Sequence, residues 1–259
     1  MRPGPASPGS SGTGSPVPGD PGYATCLADL SAAAPHAAPG LLSQEADYLL
    51  TAWSEPHRAY HTGAHLAELF AALDELAAAG ALPEPARLPA RLAGWYHDVA
   101  YDPRARRGSN EHRSAAIARD HLHRLGADPD LVDTVEELVV MTVDHDPGED
   151  APAPPGPPGA GVSDPRKAAR DAFHDADLWI LGAPGDRYAA YRAQVAAEYA
   201  HLPPAFFAAG RAALLQELAA RPRLYRTRHA HRCWGERARR NLGREIAELT
   251  GPRDGSASG

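Results

Sequence analysis

The run from Leu88 to Asp98 is apolar around much of its circumference and has the spacing of a helix, taken here as Arg87 to Asp98. A helix without a wide polar face has to be enclosed by other elements, so this segment is expected at the centre of the fold. It ends on His97-Asp98. Adjacent side chains on a helix point about 100° apart, so two such residues reach one point only where the helix ends or distorts. Buried polar groups also demand partners. The question is then which other His and Asp residues converge on this doublet.

The remainder of the chain reads as helices able to enclose that segment. Hydrophobic residues make up 43% of the 259, much of it Ala and Leu with few β-branched residues, a balance that favours helix over strand. Two helical patterns fall between Tyr23 and Trp53, broken over Pro35 to Gly40. A third pattern carries Leu66, Leu69, Phe70, Leu73 and Leu76 on one stripe and closes at Gly80 and Pro83. After the central helix, Ser109 reads as the N-cap of a helix to Leu125 that Gly126 ends, and Asp128-Pro129 opens one to Met141 or Thr142. Helix is expected again from Lys167 to Leu181, Asp186 to Ala200, Pro204 to Ala219 and Arg232 to Leu249. Residues 1–22 are mostly Gly, Pro and Ser and read as a disordered leader, 147–165 as a Pro/Gly-rich loop and 251–259 as a flexible tail. The expectation is an all-α fold with a single domain over 23–250.

The formal net charge of −7 argues against an electrostatic nucleic-acid binder. Two cysteines, Cys26 and Cys233, make no disulfide framework and fit a reducing compartment. No run approaches the roughly 18 apolar residues of a membrane span. The first residues lack the apolar core of a secretory signal. A soluble cytoplasmic protein is expected, with no membrane or nucleic-acid partner.

His61 and His65 stand four apart at a helix start, so both project from one face about 6 Å apart along the axis. Asp175 and Asp177 lie inside the apolar run Phe173 to Leu181, where a carboxylate is costly unless matched by a cation or by hydrogen bonds. Imidazoles with carboxylates suit Mn, Fe, Co, Ni or Zn, or Mg completed by water. Arg58, Arg104, Arg106 and Arg107 are cations able to steer an anion, although the Arg104 to Arg107 run reads first as an ordinary solvated basic loop. Glu111 either accepts from a ligand imidazole or complements a helix dipole, and Asp175 either buttresses the histidines or caps on the solvent side. Tyr188, Tyr191, Arg192 and Tyr199 read as core packing with a snorkelling Arg. His229, His231 and Cys233 lack the spacing and fourth ligand of a zinc site.

The segments YHTGAHL (60–66), GWYHDVAYD (94–102), SNEHRSA (109–115), MTVDH (141–145), FHDADLWILG (173–182), YRAQVAAEY (191–199) and ERARRNL (236–242) stand in one order along the chain. In that order they resemble the HD superfamily of metal-dependent phosphohydrolases, and more closely a group of predicted bacterial HD phosphohydrolases. The resemblance spans nearly the whole expected domain. It implies an HD-like helical bundle in which His65, His97, Asp98 and Asp177 hold one divalent ion, with the Asp before Leu178 rather than Asp175 as the last ligand. The segment from Tyr60 to His65 also resembles the start of the cyclic-nucleotide phosphodiesterase site, which implies that His61 is a general acid or phosphate contact. Binuclear relatives add histidines where this chain has Asn110 and His145. Asn is a poor transition-metal ligand, so one ion is expected, with His145 left for the phosphate or a weaker second ion. The resemblance implies hydrolysis of a small phosphate mono- or diester, with a nucleotide among the candidates. Asp98 would orient the water and His61 would protonate the alkoxide, with Arg58, Glu111, His145 and Asp175 around them. A non-catalytic metal- or nucleotide-binding module is the alternative, followed by an HD-fold di-iron oxygenase.

Overall fold

The computed structural model describes residues 21–145 and 164–251. The expected leader up to residue 20, most of the 147–165 loop and the tail from 252 lie outside them. Among the described residues there are eleven α-helices, one 3-10 turn and no strand: α1 Pro21–Ala33, α2 Pro39–Ala52, α3 Gly63–Ala78, α4 Glu84–Tyr96, α5 Ser109–Leu125, α6 Pro129–Met141, α7 Pro165–Asp177, the 3-10 turn Leu178–Gly182, α8 Gly185–Glu198, α9 Pro204–Ala220, α10 Arg228–Cys233 and α11 Gly235–Thr250.

The central position expected for the Arg87–Asp98 segment is where α4 lies. It packs against α1, α3, α5, α6 and α7, and Leu92, Ala93, Trp95 and Tyr96 are buried. Polar tips along it are tied to neighbouring helices. Asp29 of α1 accepts from Arg91 Nε and Trp95 Nε1, both at 2.8 Å. Glu45 of α2 accepts from Tyr96 Oη at 2.9 Å and from Arg124 at 2.8 Å, while His121 Nδ1 lies at 2.9 Å. The Trp53 indole donates to Trp95 O at 2.9 Å. These bonds satisfy groups that burial would otherwise penalise, and they fix the rotation and depth of α4.

Several helix boundaries differ from the sequence reading, each for a local reason. α4 starts at Glu84, with Pro85 in its first turn, and ends at Tyr96, so His97 and Asp98 fall in the turn beyond it. α5 is capped not by Ser109 but by Gly108, whose φ of 81° is left-handed and suits glycine. Asp164 caps α7 by accepting from Arg166 N at 3.0 Å, with Pro165 at the first helical position, so the helix opens before Lys167. The run through Leu181 tightens into the 3-10 turn after Asp177. The last helix divides at Trp234 into α10 and α11.

The second half of the molecule is built on α9 and α11, joined to the first through the 3-10 turn. Asn241 of α11 donates to the carbonyls of Leu181 and Ala183 at 2.9 and 3.0 Å. Buried Glu245 accepts from Tyr188 at 2.5 Å and from Arg211 Nε at 3.0 Å. Tyr188 and Tyr191 are core residues, and Arg192 reaches outward to Glu248, as the sequence reading has it.

Backbone approach is closest at Gly182. A Cβ there would stand 2.7 Å from Trp234 Cβ and 2.9 Å from both Trp234 O and Tyr225 Oη. Neither the carbonyl nor the buried rings can yield cheaply. Gly182→Ala is expected to destabilise the protein by about 1–3 kcal/mol, a loss of several degrees in Tm, checked by thermal unfolding beside the unconfined Gly185→Ala.

Candidate metal centre and its cavity

The turn after α4 gives the His97-Asp98 doublet its geometry. His97 N still bonds to Ala93 O at 2.9 Å, but the next amide pairing is the tighter Val99 N to Tyr96 O at 3.1 Å. With the helix ended, both side chains reach one side, and His97 Nε2 lies 3.3 Å from Asp98 Oδ2. Arg58 holds that turn. Its guanidinium donates to Asp98 O at 2.8 Å, Val99 O at 3.1 Å and His61 O at 3.3 Å, and sits 5.3 Å from the ring centroids of Trp53 and Tyr101. The side chain has no exposed surface. The reading of Arg58 as a cation near the mouth is therefore corrected: its charge is turned inward onto backbone carbonyls and toward Glu55, and Arg58 does not line the cavity.

α3, α4 and α7 bring three ligand-type atoms together. His65 Nε2 is 3.3 Å from His97 Nε2 and 3.2 Å from Asp177 Oδ1, and His97 Nε2 is 3.4 Å from the same oxygen. These three donors lie within 4.8 Å of one another. The far nitrogens are already engaged, His65 Nδ1 with Tyr60 Oη at 3.1 Å and His97 Nδ1 with Gly94 O at 3.0 Å. Such outer partners fix ring orientation and leave Nε2 facing inward, as in metal-ligating histidines. Asp98 Oδ2 adjoins this group through His97.

The electrostatics follow from burying two carboxylates among imidazoles. Burial alone would raise Asp177, but His97 nearby and hydrogen bonds from His65 and His97 hold it well below the usual carboxylate range. Asp98 is lowered against the pull of burial by His97 and His61. Burial lowers His65, whereas at His97 Asp98 and Asp177 outweigh burial and hold the imidazole well above its ordinary value. Two carboxylates and two inward-facing imidazole nitrogens make a donor set suited to a divalent cation, so the residues fit one.

His61 lies to one side, its Nε2 3.6 Å from Asp98 Oδ2. Its Nδ1 is 2.8 Å from Glu198 Oε2, and Glu198 Oε1 accepts from the backbone N–H of Ala59, Tyr60 and His61 at 2.8, 2.8 and 3.0 Å. Tyr101 Oη donates to the same carboxylate at 2.8 Å. Burial would raise Glu198, but the bonds from His61 and the backbone bring it down to about 2. The sequence reading did not single out Glu198. Its signal was an acid at the inner position of the stripe Tyr188, Tyr191, Val195, Glu198.

The remaining candidates separate by position. His145 Nε2 is 3.6 Å from Asp177 Oδ2, with the residue in a left-handed conformation at φ 50°. Arg221 holds that backbone by donating to the carbonyls of Asp144 and His145 at 2.7 and 2.6 Å, and burial pushes the imidazole down to about 4. Glu111 lines the same cavity, its carboxyl raised by burial and by Asp98, and no hydrogen bond joins it to a ligand imidazole among the described residues. Asp175 faces away. It accepts from the N–H groups of Arg226 and Thr227 at 2.7 Å each and from His174, so it anchors the chain before α10 and neither buttresses His65 and His97 nor caps toward solvent. Asn110 clamps the Asp102 backbone, accepting from its N–H at 3.2 Å and donating to its carbonyl at 3.0 Å. A second group, Glu75, His229 and Cys233, is also close-set. There His229 meets Glu75 through Nε2 and Cys233 through Nδ1, opposite edges of one ring, a poor arrangement for one ion.

The centre forms the floor of a cavity of about 630 Å³, within the range of small-molecule sites. Arg106 and Arg107 line it, accompanied by Asp102, Asp144 and Glu217. Comparison of the chain with family models, with curated proteins and with solved structures finds no match.

Two substitutions test this construction. Arg58→Ala leaves three carbonyls short of a donor and is expected to cost on the order of 3 kcal/mol, read by urea unfolding, and to weaken metal binding because the doublet loses its support. Glu198, depressed from 4.5 to about 2, contributes stability that is fully present above pH 4.5 and is lost as pH falls toward 2. The stability gap between the native protein and Glu198→Gln should therefore be constant near neutrality and close between those values, followed as urea midpoints against pH.

Proposed function

We propose that this chain is a metal-dependent phosphohydrolase of the HD type, using one divalent ion. The observation that carries the reading is the convergence of His65, His97 and Asp177 on the floor of a cavity. Asp98 lies beside them, and His61 is held by a carboxylate at the cavity edge. His65, His97, Asp98 and Asp177 would hold the ion. When bound, the ion supplies polarisation of a phosphoryl oxygen and acidification of water.

The protein's own groups position the water and protonate the leaving group. As water attacks phosphorus, one P–O bond forms and the ester P–O bond breaks. Asp98 would orient the attacking water, which releases its proton to solvent. His61 Nε2 would give a proton to the departing alkoxide, and Glu198 on Nδ1 orients the ring. This is the division of labour of an imidazole acid with a carboxylate behind it. Arg106 and Arg107, not Arg58, are the cations placed to draw an anion into the cavity.

The amide of Asn110 is turned onto the Asp102 backbone, accepting from its N–H and donating to its carbonyl, and an amide is a poor transition-metal ligand. This favours a single ion and hydrolysis over a di-iron oxygenase. A binding module without turnover shares the same donor atoms and differs only in outcome.

The test combines metal binding with turnover. Purified protein is expected to hydrolyse p-nitrophenyl phosphates or members of a nucleotide panel with one of Mn, Co, Ni or Mg, and to lose activity with a chelator. Asp98→Ala is expected to lower kcat by about 10²–10⁴-fold. The stabilising metal should raise the Tm of the native protein and leave Asp177→Asn unmoved. Activity that survives Asp98→Ala overturns the mechanism, and metal binding without product selects the binding module.

A further inference from the structure

The cavity lined by His65, His97, Asp98 and Asp177 also has an apolar wall. Five large hydrophobic side chains are exposed among the described residues, and three of them, Leu202, Phe206 and Leu214, line this one cavity with 37%, 73% and 44% of their surface open. Single exposed hydrophobics are ordinary, but a cluster lining one cavity marks a binding surface. Phe206, Gly210 and Leu214 are four apart on α9 and form one stripe along the wall. The opposite face of α9, with Ala208, Ala212, Leu215 and Leu218, is buried. The helix is thus apolar on two faces, the pattern of one covered on both sides.

Along the Phe206–Leu214 stripe itself polar recognition is scarce. Arg211, the cation nearest the stripe in sequence, is buried and donates to Glu245 and the Tyr191 hydroxyl, so it is not offered to a ligand. The amide of Asn110 is engaged with Asp102. Glu217 follows the stripe only at the rim, 3.9 Å from Arg107. A sugar or a nucleobase placed against α9 would leave its hydrogen-bonding groups unmatched, which is costly, whereas a hydrocarbon would lose nothing and gain burial.

We propose that the ligand of this cavity is an amphiphile, a phosphate monoester of an apolar alcohol. The phosphate lies against the metal-ligating residues and the hydrocarbon along the Phe206–Leu214 stripe of α9. The phosphate half rests on the function proposed above, and the hydrocarbon half rests on α9 alone.

The experiment is calorimetric binding of methyl-, butyl- and octylphosphonate to the full chain with Mn, at concentrations below micelle formation, with 1-octanol and adenosine monophosphate as comparators. Phosphonates carry a P–C bond that phosphoester hydrolysis does not break, so binding is read without turnover. Affinity is expected to rise along the series by up to about fourfold for each CH₂ buried. Phe206→Ser and Leu214→Asn, both at exposed positions, should flatten the series while leaving methylphosphonate binding and Tm unchanged. A flat series with metal-dependent methylphosphonate binding would overturn the hydrocarbon end alone, as would tighter binding of adenosine monophosphate than of octylphosphonate. Octylphosphonate binding no tighter than 1-octanol would overturn the phosphate end and the proposed function with it. With no gain along the series, anionic-vesicle binding or a concentration-dependent dimer, either one lost in Phe206→Ser, would overturn the proposal in favour of a membrane surface or a second copy.

Discussion

Arg58 has no exposed side-chain surface, yet its charge meets three backbone carbonyls around the turn that follows α4. A guanidinium carries its donors in a fixed planar fork, so it can hold two strands of chain at a set angle where a lysine would not. Here it joins the 58–61 segment to the 98–99 turn. That junction places His61 beside Asp98 and ends α4 early enough for His97 and Asp98 to share one side. The candidate centre takes the relative placement of His61 and Asp98 from this contact.

Buried carboxylates elsewhere in the protein show by contrast what is unusual about Asp98 and Asp177. Asp29, Glu45, Asp175, Glu198 and Glu245 are each matched by N–H or O–H donors from arginine, tyrosine, tryptophan or backbone groups, and the imidazoles that also meet Glu45, Asp175 and Glu198 come in addition to these. The partners of Asp98 and Asp177 are imidazoles crowded on one another, with two Nε2 atoms 3.3 Å apart. Structural acids are satisfied by fixed donors. An arrangement of acids and inward-facing imidazole nitrogens is satisfied best by a cation they share.

Much of the helical framework was legible because its causes are local. Asp128-Pro129 opened α6 as its cap chemistry dictates, Gly126 closed α5, and the leucines of α3 faced the core at helical spacing. Misjudged boundaries came where tertiary contact competes with local preference. The long final run broke at Trp234, whose ring packs on Tyr225 and whose backbone crowds Gly182. Arg58 read as a mouth cation, and Asp175 as either buttress or solvent-side cap, because their type and neighbourhood allowed it. Their true partners lie 40 and 52 residues away in the chain. Glu198 stayed unremarked for the same reason, since the backbone it serves is 139 residues distant.

The amino-acid sequence by itself determined that this protein is helical, that the segment ending in His97-Asp98 lies at its centre, and that the pairs His61/His65 and Asp175/Asp177 stand on other helical segments. Periodicity and capping act over a few residues, and a buried ionisable group announces itself by its apolar neighbours. Only the tertiary structure decided which member of each pair comes within hydrogen-bond range of His97, that Glu198 stands behind His61, and that α9 lines the same cavity with an apolar stripe. Distances across a fold are set by the packing of many side chains at once, and no local pattern contains them.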